Sequence, residues 1–141
     1  KKLTGHPIDN IHRNLIYLRD YMKSNGVPEE LWIRTPIIPD ATARDDIVED
    51  IGRYIAINLK GVVSRWELCS FNNLCRDKYI RLGLSWQFKD FELLTETVME
   101  HLTEAAKNTG IDPNIVHWTG STRIEGDDTP SPRLVGGRST A

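Results

Sequence analysis

Three amphipathic helical stripes alternate with three short runs of strand-forming residues, and this alternation restricts the architectures open to the chain. Ile8, Ile11, Leu15, Leu18 and Met22 recur at spacings of three, four, three and four, which aligns one apolar stripe along a helix. The spacing predicts a helix from about Ile8 to Ser24. Asn25-Gly26 offers a left-handed terminator, and Pro28 prevents the helix from resuming. Leu31-Trp-Ile-Arg-Thr-Pro-Ile37 then reads as a short, largely apolar strand that ends near a proline.

Thr42 with Asp45 three residues on has the form of a capping box, and Ile47, Ile51, Tyr54 and Ile55 share one face, so a second helix is expected from about Ala43 to Leu59. Val62 to Phe71 is rich in residues that suit a pleated surface and is expected to be the second strand. Residues Asn72 to Phe88 show no clear period and read as a long loop, of the kind that carries a site or a lid. Phe91, Leu94, Val98, Leu102 and Ala105 form the third stripe, with Asp90 as its expected N-cap and Gly110 beyond its end. Ile115 to Trp118 is the expected last strand. From Glu125 the chain is polar and glycine-rich, so 125–141 is expected to be a flexible tail.

Alternating helices and strands are the pattern of α/β folds, in which helical crossovers join parallel strands. About three parallel strands cannot close a barrel. They make either a small open sheet or an arc of a larger, partial (β/α) barrel.

Composition narrows the function. Hydrophobic content of 39% and charged content of 27% fit an ordinary globular domain, with no apolar run near the roughly 20 residues of a membrane span. Eighteen basic residues against twenty acidic ones are scattered without a basic stripe, so neither nucleic acid nor a membrane is an expected partner. Two cysteines, Cys69 and Cys75, make no disulfide framework, and a cytoplasmic setting is expected. Neither their spacing nor that of His6, His12, His101 and His117 suits a metal site. Phosphate-binding glycine loops and a serine nucleophile elbow are absent.

Trp32, Trp66, Trp86 and Trp118 are expected to fill the core. Arg34 interrupts the first strand and needs an anionic or hydrogen-bonding partner, which Glu67 could supply as a structural salt bridge. With a period of two, Trp32, Arg34 and Pro36 share one face. Lys78-Tyr79 in the long loop is a candidate contact with a partner or ligand.

Trp32-Ile-Arg-Thr-Pro-Ile-Ile-Pro39, Trp66-Glu-Leu, Lys78-Tyr79 and Leu82-Gly83 occur in that order, preceded by Thr4-Gly5 and Asn10. Residues 3 to 118 in this arrangement resemble radical S-adenosylmethionine (SAM) enzymes of the glycyl-radical-activating type, the pyruvate formate-lyase activating enzymes and their relatives. The resemblance implies that residues 1–124 are the C-terminal part of a partial (β/α)6 barrel. It places SAM beside Arg34, Pro36 and Asn72, with Lys78 and Tyr79 toward the partner enzyme. Asn72 stands where the family has histidine, Asp40 where it has glycine, and Cys69-Ser70 where it has Leu-Pro.

The parent enzyme implied by the resemblance carries SAM and a 4Fe–4S cluster, and cleaves SAM reductively to set a radical on a glycine of a glycyl-radical enzyme. Its cluster motif, Cys-x-x-x-Cys-x-x-Cys, is not in this sequence. The chain starts at Lys1 with a helix and no preceding strand, so it is expected to continue a longer protein. Its expected partners are the N-terminal half of the barrel and a glycyl-radical enzyme, with no cofactor held stably by this chain alone. An uncovered sheet edge or inner face, expected to be apolar, would favour self-association. The alternative is a stand-alone α/β binding or interaction module without catalysis.

Overall fold

The computed structural model describes residues 5, 7–124 and 126. Apart from residue 126, the expected tail lies outside them. The elements run α1 (Asp9–Asn25), β1 (Trp32–Ile37), α2 (Asp45–Asn58), β2 (Arg65–Ser70), α3 (Arg76–Arg81), α4 (Glu96–Lys107), a 3-10 turn (Pro113–Ile115) and β3 (Val116–Thr119). The three strands form one parallel sheet in the order β1-β2-β3. The expected α/β class with crossover helices is the observed one.

Side-chain alternation divides the sheet into two chemically different faces. Thr35 and Ile37 of β1, Trp66 and Leu68 of β2, and Val116 of β3 are buried. The apolar members of this set pack with Met22 of α1, Val48 and Ile55 of α2, Leu59 just after it, and Met99, Leu102 and Ala106 of α4. Each such large apolar side chain contributes about 1.5–3 kcal/mol on leaving water. The polar members of the buried face are satisfied locally, since the Trp66 indole N–H donates to the Thr35 hydroxyl at 3.0 Å.

Local chemistry fixes the joints. Gly26 ends α1 at φ 71° with its N–H on the Met22 carbonyl, as the Asn-Gly pair predicts. Gly52 lets α2 approach the end of α4, because a Cβ there would lie 2.3 Å from Thr109 Oγ1. Beyond β3, Ser121 O accepts from Ser70 Oγ at 2.5 Å and Arg123 N donates to Leu94 O at 2.9 Å, tying the segment after β3 back to the sheet and to the approach to α4.

Several expectations need correction. Thr42 does not cap α2: its hydroxyl accepts from Ile38 N at 2.8 Å and donates to Pro36 O at 2.5 Å, clasping the loop instead. Helix α2 begins after Arg44, without a side-chain cap. The third stripe starts late, since Thr95 rather than Asp90 is the N-cap and accepts from Val98 N. Phe91 is drawn instead into an aromatic cluster with Phe71, Phe88 and Trp86. The long loop contains α3, and Tyr79 from that helix stacks on Trp86 at 5.6 Å. Trp32 is 49% exposed and not part of the core.

Candidate functional site

The sheet face turned away from the core carries Trp32, Arg34 and Pro36 of β1, Arg65, Glu67 and Cys69 of β2, and His117 and Thr119 of β3. Register places Arg34 opposite Glu67, Pro36 opposite Cys69, and Glu67 opposite His117. An uncovered strand edge or inner face was expected to be apolar; this face sets the apolar Trp32 and Pro36 beside the charged Arg34, Arg65 and Glu67. A fully charged cluster on a sheet face is costly unless paired, and here it is paired.

Glu67 is the centre of the cluster. Its Oε2 accepts from Arg34 Nε and its Oε1 from Arg65 Nε, each at 2.9 Å. Burial acts to raise the Glu67 pKa, but the hydrogen bonds and charges of Arg65 and Arg34 outweigh it and hold the carboxyl below its ordinary range. The Arg65 guanidinium also lies 5.1 Å from the centre of the Trp32 ring. Cys69 and Glu67 beside Arg34 raise its pKa further above the ordinary value, so it remains a cation.

Arg34 therefore does not point into the core. Its side chain is 64% exposed while that of Glu67 is 7% exposed. The guanidinium binds Glu67 through Nε with Cys69 beside it, and an exposed guanidinium keeps further N–H donors of the kind that suit a carboxylate or phosphate. The salt bridge to Glu67 is thus present, and it leaves Arg34 competent to meet a second anion.

The other expected site residues are spread along the C-terminal side of the sheet. Pro36 is exposed on the same face as Arg34. Arg34 sits in the middle of β1, not at its end, and Asn72 lies two residues past the end of β2. Asn72 is outside any strand, so alternation does not aim it at Arg34; its Oδ1 accepts from Leu74 N at 3.3 Å. Lys78 is exposed on α3, whereas Tyr79 is half-buried and stacked on Trp86. A cavity of about 420 Å³ lies beside them, lined among others by Arg76, Tyr79, Trp86 and Lys89.

Arg65 and Cys69 were not singled out as site residues from sequence. Period two from Arg34's register partner Glu67 would have placed both on its face. Asp40, just after β1, adopts φ 56°, the left-handed region that glycine enters most readily.

A cluster needs three or more thiolates, and this sequence has Cys69 on the open face and Cys75 in the turn before α3. These two do not fit a 4Fe–4S cluster. An exposed arginine fork on a polar sheet face does fit the carboxylate of an amino-acid-bearing ligand such as SAM.

No family model matches the chain. Over 109 residues it is 29% identical to the (2S)-3-sulfopropanediol dehydratase activating enzyme of Klebsiella oxytoca, covering 76% of this chain and 32% of that protein. Over 111 residues it is 26% identical to the indoleacetate decarboxylase activating enzyme of Tractidigestivibacter scatoligenes, covering 79% of this chain and 33% of that protein. The chain spans about one third of the length of these curated relatives. Both are activating enzymes, so the similarity supports the glycyl-radical-activating family as the group the chain resembles, while the pyruvate formate-lyase branch is not singled out. No helix among the described residues is long and apolar enough to cross a membrane.

Proposed function

We propose that residues 1–124 supply the C-terminal part of a radical SAM activating enzyme's partial (β/α)6 barrel, with the Arg34 face of the sheet turned toward the barrel interior. The observation that carries this reading is the division of the sheet. Helices α1, α2 and α4 pack on one face, and the opposite face holds a paired charge cluster with an outward arginine. An isolated two-layer module has no need of buried charge on its outer face, whereas the wall of a ligand chamber does.

In this reading Arg34 orients the carboxylate of SAM, Pro36 lines the adenosine side, and Asn72 offers an amide to the ribose from the end of β2. Lys78 and Tyr79 belong to the rim that meets the partner, a glycyl-radical enzyme. SAM and a 4Fe–4S cluster, the latter held by the rest of the parent protein, would supply the radical chemistry; these strands bind, orient and exclude water. The outer edges of β1 and β3 are where the N-terminal half pairs, or where copies of this chain associate without it. Cytoplasmic placement belongs to the same proposal.

Reading the coding DNA upstream of the Lys1 codon tests it. An in-frame Cys-x-x-x-Cys-x-x-Cys segment preceded by strand and helix patterns is the expected result. A start codon directly adjoining Lys1 would overturn the proposal in favour of a stand-alone module.

A further inference from the structure

One carboxylate, Glu67, lies between two guanidinium groups, and the two arginines are held differently. Arg65 donates to Glu67 at 2.9 Å and lies over the Trp32 ring, with its side chain 30% exposed. Arg34 donates to the other oxygen at the same distance but has no aromatic partner among the described residues and is far more exposed. Each arginine uses Nε for this contact. Two positive charges meet one negative charge, so the cluster carries a surplus of +1.

We infer that Glu67 and Arg65 are positioning residues for Arg34: Glu67 fixes the direction of its guanidinium, and Arg65 cancels the Glu67 charge so that Arg34 presents an unspent cation to a carboxylate ligand. An arginine paired with a single carboxylate would be locally neutral and a weak anion binder. An arginine without a carboxylate would carry its charge on a mobile side chain and lose rotamer freedom on binding. The triad avoids both outcomes. The inference rests on reading the open face as the SAM wall, and it extends that reading to two residues that need not touch SAM.

The test is calorimetric titration of SAM into the full-length protein bearing Arg34→Ala, Arg65→Met, or Arg65→Met with Glu67→Gln. Arg65→Met should weaken SAM binding roughly five- to tenfold, because Glu67 then neutralises Arg34. Adding Glu67→Gln should recover at least about half of that loss on a logarithmic scale, since no carboxylate charge remains to be cancelled. A merely structural triad makes the double variant bind worse than Arg65→Met, and that result overturns the inference.

A second readout uses the 141-residue chain itself. The Arg34 Nε–H resonance should be resolved and slow to exchange, and should collapse to the position of a free arginine in Glu67→Gln. A resonance unchanged by Glu67→Gln overturns the positioning role. If Arg34→Ala leaves SAM affinity unchanged, the SAM reading fails, and this resonance alone decides whether Glu67 holds Arg34.

Discussion

Arg34 and Glu67 are register partners on adjacent parallel strands, joined at 2.9 Å with the arginine exposed and the carboxylate buried. That asymmetry sets the acid response of the fold. The Glu67 pKa is lowered from its ordinary 4.5, so the bridge contributes stability above the unfolded-state pKa and loses it as pH falls through the folded-state value. Thermal unfolding of the wild type and Glu67→Gln from pH 6 to pH 2 should show a gap in Tm that starts to narrow as pH falls below the ordinary Glu value of about 4.5 and shrinks further through the lowered folded-state value. Arg34, Arg65, Cys69 and His117 face residue 67 in both proteins, so the difference isolates that residue. A gap that stays constant to pH 2 would contradict the pairing.

The buried Trp66–Thr35 hydrogen bond fastens β2 to β1 on the core side. Thr35→Val keeps the shape but strands the indole N–H, at a cost of about 1–3 kcal/mol. Thr35→Ser should retain most of the stability. Denaturant melts that found the two variants equal would show that the bond contributes nothing.

Gly52 is required by contact, not by backbone conformation. Gly52→Ala gains about 1 kcal/mol of helix propensity but drives a methyl into Thr109, an overpacking that costs about 1–3 kcal/mol. A net loss of stability is expected, with part of it recovered by combining Gly52→Ala with Thr109→Ala. A stabilised single variant would contradict the close approach of α2 and α4.

Reconstitution of the 141-residue chain with iron and sulfide under reducing conditions should give no stoichiometric charge-transfer absorbance, because Cys69 and Cys75 cannot supply the thiolates of a cluster. A stoichiometric chromophore would remove the division of labour proposed between this chain and an N-terminal half.

The sequence carries the order of elements clearly, because each helix has a continuous stripe and each strand a short apolar run. What it conceals is competition for the same side chains. Thr42 matches a cap but finds the backbone of Ile38 and Pro36 instead. Phe91 lies on a helical stripe but gains more from the ring cluster around Phe71, so α4 starts at Glu96. Within the site, period two places Arg34 and Pro36 together from sequence alone. Glu67 is an expected partner of Arg34 from sequence, and Arg65 shares its face by alternation within β2; the register that sets Arg34 directly opposite Glu67 is what a single strand's pattern does not reveal. Asn72 lies beyond β2, where alternation no longer predicts direction.

The most direct test of the central claim is titration of SAM into the full-length protein and its Arg34→Ala variant, with a thermal melt of each. If the charged face of the sheet is the SAM wall, Arg34→Ala weakens SAM binding roughly tenfold or more while Tm falls by only a few degrees (about 5 °C at most), because Arg65 still pairs with the buried Glu67. Unchanged SAM affinity accompanied by a large fall in Tm would contradict the claim and leave the Arg34–Glu67 pair as a structural bridge alone.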